Sequence, residues 1–244
     1  MEFTELPLCA KSPDNRPAGN MASPSFRELL WGETSDMEQL GFMIIRAYEE
    51  AEEEARAIRE MVRSNEEGTR HDTHSPSPTA HWLDKEKQIT FKTFMEAGVD
   101  LNAIIANCFP KEGPEPIHQP LRPILFQCDE VGTSLYRAHP NSDSISIFRP
   151  IGCDVGPENG MFMVYPCSDN LDMKDVQGPP KSIRINSGEL LVIRGPTIVK
   201  TVNTGGGLVM WKGCSIQPIG MNIVGQHVLP FMRARPPNVT MVDR

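Results

Sequence analysis

Ser144-Ile145-Ser146-Ile147-Phe148 decides the fold class, because apolar and small polar residues alternate there with period two. That pattern predicts a half-buried β-strand. Working outward, Met161-Phe162-Met163-Val164-Tyr165 and Ser182-Ile183-Arg184-Ile185-Asn186 read as further strands, as do Glu189 to Arg194 and Leu208 to Lys212. Gly156-Pro157-Glu158-Asn159-Gly160 and Gly205-Gly206-Gly207 supply turns between them. Short strands at this spacing predict a sandwich or barrel. Far upstream, Gly41-Phe42-Met43-Ile44-Ile45-Arg46 is an apolar run after a glycine and reads as one more strand.

The stretch between is helical. From Glu49 to Arg63, Ala51, Ala55, Ile58 and Val62 recur at steps of three and four with acidic residues between them, which predicts an amphipathic surface helix. Phe26 to Trp31 suits a short helix, and Phe91 to Phe109 a helical region broken near Gly98. Residues 64–80 are polar and carry prolines, so a loop is expected; Pro110 to Pro123 holds five prolines and is expected to be irregular. The chain divides into a flexible arm (1–24), one domain (25–235) and a tail (236–244), without internal repeats. The expected class is α+β: flanking helices first, then a double-stranded β-helix (jelly-roll or cupin-like) core.

Composition narrows the function. The 244 residues are 39% hydrophobic and 23% charged, with a net charge of −8 and a pI near 5.3. An acidic chain is a poor partner for nucleic acid or an anionic membrane. Met1-Glu2-Phe3-Thr4-Glu5 lacks the basic and apolar regions of a secretory signal, and no apolar run is long enough for a membrane span, so a cytoplasmic protein is expected. Cys9, Cys108, Cys128, Cys153, Cys167 and Cys214 form no CxxC pair, so free thiols, mostly buried, are expected rather than zinc ligands. His71-Asp72-Thr73-His74, with His81 nearby, lies in the polar loop and reads as solvated.

Four places together resemble the phytanoyl-CoA dioxygenase-like family of iron(II)/2-oxoglutarate enzymes. Leu40 to Arg46, followed by an acidic helix, is similar to its opening strand and helix. Gly132 to His139 has the spacing of the segment ending in its first metal-binding His. Asp154-Val155-Gly156-Pro157-Glu158-Asn159-Gly160, then Met163 to Ser168, resembles its Asp-x-x-x-Glu-Asn-Gly and Pro-Gly-Ser-His stretches. Ser187 to Val192, with Gly195 and Asn203, resembles its Gly-Asp strand and the Asn after the second His. Such a site needs two His and one carboxylate on one face of the iron.

Where the family has His-x-Asp, this chain has His139-Pro140-Asn141, and a neutral amide replaces the anion. Asp143 is displaced by roughly 7 Å in an extended strand, unless Pro140 turns the chain. The second His falls on Ile198 or Val199, which cannot bind iron. The Arg that holds 2-oxoglutarate is missing from Thr204 to Met210; Lys212 is the nearest cation and cannot form a bidentate pair. His139, Asn141, Ile198 and Val199 are therefore read as vestigial positions, with no metal or cofactor bound by this chain.

The resemblance implies a non-catalytic subunit of a fungal heterodimeric dioxygenase, of the kind seen in meroterpenoid biosynthesis in the talaromyolide pathway. The catalytic partner would then be a homologous subunit carrying Fe(II) and 2-oxoglutarate and hydroxylating a terpenoid-polyketide. Two alternatives stay open. One is a metal-independent isomerase or cyclase using His139, Tyr136 and Lys212 for acid–base chemistry. The other is a divergent active dioxygenase using His139 and Asp143, with His227 or His118 as third ligand.

Overall fold

At the centre lies β5 (Ser144–Pro150), paired antiparallel with β7 (Glu189–Arg194) on one side and β9 (Leu208–Ser215) on the other. The computed structural model describes residues 37, 39–47, 51–68, 84–110, 112–126, 135–139, 141 and 143–217. Within these, β1 (Phe42–Arg46) extends the sheet beyond β7, giving the order β1-β7-β5-β9, and β2 (Ile117–His118) and β3 (Arg122–Leu125) share the outer side of β9. A second antiparallel sheet has the order β4 (Leu135–Arg137), β8 (Ile198–Lys200), β6 (Met163–Val164). All residues of β5 are buried, so the expected half-exposed strand is corrected. Helices cover one face of the large sheet and the small sheet covers the other, so neither face of β5 meets water.

The helices are α1 (Glu52–Gly68), α2 (Lys85–Glu96) and α3 (Leu101–Cys108). Residues 64–68, expected in a loop, continue α1. The capping carboxylates are those a helix start requires. Asp84 Oδ1 accepts the Glu86 N–H at 2.9 Å, and Asp100 Oδ1 accepts the Ala103 N–H at 2.9 Å. Between α2 and α3 the chain reverses at Gly98, whose φ of +69° favours glycine. Ile58, Phe91, Phe94 and Ile104 pack on Ile145, Ile147, Val192 and Met210. Burying side chains of this size contributes about 1.5–3 kcal/mol each.

A charge crosses this apolar layer. Arg149, on β5, is 1% exposed, and its Nη1 donates to the carbonyls of Phe94 and Ala97, each at 2.7 Å. The guanidinium also lies 5.0 Å from the Phe94 ring centroid. It answers the unpaired carbonyls at the C-terminal end of α2 with a cation, where the helix dipole favours one. Burial pushes its pKa down to about 10.

On the other face, Phe148, Leu191, Ile193 and Val209 meet Tyr136, Val164 and Val199 of the small sheet. Phe148 and Phe162 pack edge to face with centroids 5.4 Å apart. Neither β4 nor β8 was expected from the sequence pattern. Ser182–Asn186 is not a strand. Its backbone pairing is limited to the single bridge Val155–Ile185, with a second, Val164–Lys181, just before it. Ile183 and Ile185 are nonetheless buried. Alternation reports burial of every second residue, which an extended rim segment shares with a strand.

Pro110–Pro123 is also corrected, since it contributes β2 and β3. Pro123 is tolerated because β3 is an edge strand, where a residue that cannot donate does least harm. Between His118 (opposite Cys214) and Arg122 (opposite Trp211) the edge carries three residues against two on β9. This is a β-bulge. Gln88 of α2 holds it, donating from Nε2 to Leu121 O at 2.9 Å and accepting the Leu121 N–H at 3.2 Å. Among the described residues, no helix is long and apolar enough to cross a membrane. The four described thiols are free, as expected, but less buried: Cys214 is buried, Cys108 and Cys153 are half-buried and Cys167 is exposed. Cys9 and Cys128 lie outside the described residues.

Candidate functional site

The ladder of β4 with β8 runs on past its last named pair. Ala138 N–H donates to Thr197 O and His139 N–H to Gly195 O, each at 2.9 Å. This delivers His139 into the interior, where it is wholly buried. Gly195 makes the approach feasible: a Cβ there would stand 2.5 Å from Asn141 O and 3.0 Å from His139 Cβ.

Both imidazole nitrogens are engaged. Asn141 N–H lies 3.3 Å from Nδ1, and the Gln119 side-chain amide lies 2.8 Å from Nε2. A neutral imidazole offers one acceptor and one donor. The shorter contact comes from Gln119 Nε2, whose N–H donates to His139 Nε2, so the ring accepts there and the Asn141 N–H is the longer approach, to Nδ1. The bulge aims Gln119 inward. Burial pushes His139 down to about 4, so the ring is neutral at ordinary pH.

The positions matching the iron ligands do not fit a metal. The Asn141 amide donates from Nδ2 to Gln217 O at 2.8 Å. Ile198 and Val199 are wholly buried aliphatic side chains on β8, opposite Arg137 and Tyr136. No group of three or more His, Cys, Asp or Glu able to hold a metal occurs among the described residues. Asp143 uses its backbone oxygen to accept the Ile216 N–H at 3.0 Å. His118 and Gln119 are consecutive on the edge and diverge: His118 Nδ1 is 3.8 Å from Cys214 Sγ, while Gln119 reaches His139. His118 therefore does not join His139. His227, His71, Asp72, His74 and His81 lie outside the described residues.

The acid–base trio is not brought together either. Tyr136 packs in the core between the sheets. Lys212 lies on β9 in alternation with Trp211, on the side of Met210 and Cys214 that faces the helices. Burial lowers the pKa of His118, and the Lys212 charge adds to that shift. Cys214 and Cys108 are protonated thiols, pushed up to about 11 and about 12 by burial.

The Asp154–Gly160 motif carries structure. Asn159 Oδ1 accepts the Gly156 N–H at 2.7 Å and its Nδ2 donates to Asp154 O at 2.9 Å. Asp154 Oδ1 in turn accepts the Ser187 N–H at 3.0 Å. Sequence reasoning passed over Gln119, which sits inside the proline run set aside as irregular. It also passed over Arg149, although a cation inside an otherwise apolar strand was a legible signal.

By sequence, the chain matches no protein-family model and no curated protein. By structure it is similar to the non-haem α-ketoglutarate-dependent epimerase SnoN of nogalamycin biosynthesis, with a TM-score of 0.60 and 14% identity over 86% of this chain and 96% of that one. It is also similar to HygX of Streptomyces hygroscopicus, solved with nickel and 2-oxoglutarate bound, with a TM-score of 0.55 and 10% identity over 78% and 86%. EvdMO1 gives a TM-score of 0.57 and 12% identity over 77% of this chain, which spans 50% of EvdMO1. Two antiparallel sheets, a helical layer and these likenesses give one conclusion: the chain has an α+β fold shared with SnoN, EvdMO1 and HygX.

Proposed function

We propose that this chain is a non-catalytic accessory subunit that pairs with a homologous iron(II)/2-oxoglutarate-dependent oxygenase and stabilises it. The observation carrying this reading is the engagement of His139. Its ring is held between Gln119 and the Asn141 N–H, at a site where Asn141 and Ile198 stand in the matched ligand positions. The two stacked sheets are read as a distorted double-stranded β-helix. Fe(II) and 2-oxoglutarate belong in this reading to the partner. The substrate is a terpenoid-polyketide of fungal meroterpenoid biosynthesis, and the complex is cytoplasmic. A chain homologous to its partner can use the patch from which a homodimer would be built, because little change converts an isologous contact into a pseudo-symmetric one. A metal-independent isomerase is less well supported: Tyr136 and Lys212 lie on opposite sides of the large sheet, and a base with a pKa near 4 is weak at neutral pH.

The test is native mass spectrometry of the tagged protein isolated anaerobically from its source, with iron determined on each chain. The expected result is a one-to-one complex with a chain of similar fold that holds the iron. Iron bound stoichiometrically by this chain alone would overturn the reading. So would full hydroxylase activity and unchanged stability of the partner in its absence.

A further inference from the structure

We propose that the outer edge of β1 is a docking site for an extended acidic segment of a partner protein, which joins the large sheet as one more strand. Among the described residues β1 ends that sheet and pairs only with β7. Arg194 N–H donates to Gly41 O and Ala47 N–H to Gly188 O, each at 2.8 Å. In an antiparallel ladder the odd-numbered residues from Gly41 to Ala47 therefore turn their backbone groups to β7, and the even-numbered residues turn theirs away. At Leu40 the outward side is closed, because its carbonyl accepts the Cys167 N–H at 3.3 Å. Beyond it, the N–H and C=O groups of Phe42, Ile44 and Arg46 have no backbone partner among the described residues. Donors and acceptors in this alternation are what an added strand pairs with.

Charge selects the occupant. Phe42 and Ile44 pack on the inner face of the sheet, and Arg46 follows them in alternation. Lys181 lies on the same side, its Nζ 5.6 Å from the Phe42 ring centroid. Arg46 and Lys181 are both exposed, and neither forms an ion pair with a described residue. Their neighbours differ: Arg194 pairs with Asp169 and Arg184 with Glu158. Glu189 stands opposite Arg46 in the ladder, but its Oε2 accepts the backbone and side-chain N–H groups of Asn186. A chain of net charge −8 thus leaves a cation at each end of one strand edge. Lys181 sits beside Phe42, four residues from Arg46, which is roughly 14 Å along a strand. Carboxylates four residues apart on an added strand share a face and meet both cations. Main-chain hydrogen bonds give the affinity, and the carboxylates select against neutral or basic strands. The site uses β1 and Lys181 alone, so it does not depend on the subunit reading.

The probe is a blocked peptide of alternating glutamate and valine, with the lysine–valine peptide as its counterpart, titrated into the full chain labelled with ¹⁵N. In the free chain the amides of Ile44 and Arg46 are expected to exchange faster than those of Met43 and Ile45, which bond to β7. Saturating glutamate peptide should slow Ile44 and Arg46 by about tenfold or more, and the lysine peptide should not. Arg46→Gln and Lys181→Gln change exposed side chains, and each should weaken the glutamate peptide about threefold. Ile44 and Arg46 exchanging as slowly as Met43 in the free chain would mean that the edge is already paired, and would overturn the proposal. So would no slowing with the glutamate peptide, equal slowing with both peptides, or undiminished affinity when both cations are replaced.

Discussion

Gln119 reaches 2.8 Å from His139 Nε2 because a β-bulge in the edge strand turns it inward, and Gln88 holds that bulge from the helical layer. The contact couples the edge of the large sheet to the end of β4. It also occupies a ring nitrogen that a metal would need. Replacing Gln119 by Ala removes one partner of a buried hydrogen bond, which costs about 1–3 kcal/mol. It also opens space for water beside the ring. The His139 pKa is therefore expected to rise from about 4 toward its ordinary 6.5, read from the imidazole C–H resonances. Gln119→Leu keeps the site apolar and should leave the pKa low. A pKa that stays near 4 in Gln119→Ala would show that burial alone, not the amide, controls the ring.

Stability should depend on pH through the same histidine. In the unfolded chain His139 takes up a proton near pH 6.5; in the folded chain it does so only near pH 4. Between these values the unfolded state binds more protons, so stability falls as pH falls from 6.5 to 4 and then levels off. The full loss for this shift is about 3 kcal/mol. Urea unfolding across that range checks it, with His139→Gln as the comparison. The variant starts from lower stability, but its midpoint should change less between pH 7 and pH 4.

Arg149 joins the end of α2 to the central strand. Its removal leaves the carbonyls of Phe94 and Ala97 buried without their donor. Arg149→Met keeps the apolar stem and should still destabilise by about 2–4 kcal/mol, because hydrogen bonds from a charged donor are among the strong ones. Hydrogen exchange should quicken first in the last turn of α2 and at Ala97. A loss under about 0.5 kcal/mol, the range of ordinary surface changes, would mean that the apolar stem matters and the charge does not.

The sequence made the central strands legible because their apolar runs are continuous: Glu189 to Arg194 is β7 as expected, and the strand after Gly41 is β1. The small sheet was less legible. β6 was read, within the longer Met161–Tyr165, but β4 and β8 have three residues each, too few for a period to register. The proline run hid the edge strand, because prolines argue against a central strand but not an edge one. At the candidate site, His139, Asn141 and Ile198 could be placed by spacing. Their surroundings could not: Gln119 is 20 residues from His139 in the chain, and Gln217 is 76 from Asn141. A contact across two strands leaves no mark in local pattern.

Gly195 offers a test of how tightly this corner is packed. The residue stands where the β4 end, the start of β5 and the exit of β7 converge, and a Cβ would meet Ser144 Oγ, Asn141 O and His139 Cβ. Backbone oxygen on one side and a wholly buried imidazole on the other leave little room to yield. Gly195→Ala should destabilise by about 1–3 kcal/mol, the usual cost of overpacking. It should also disturb the Asn141–His139 contact, seen as a shift of the imidazole resonances. Gly188 is the control, because a Cβ there meets nothing within 4 Å. Gly188→Ala should be neutral, or stabilising by up to about 1 kcal/mol through the unfolded state. Equal melting temperatures for the two variants would contradict the packing of this corner, since only Gly195 has neighbours that a methyl group must displace.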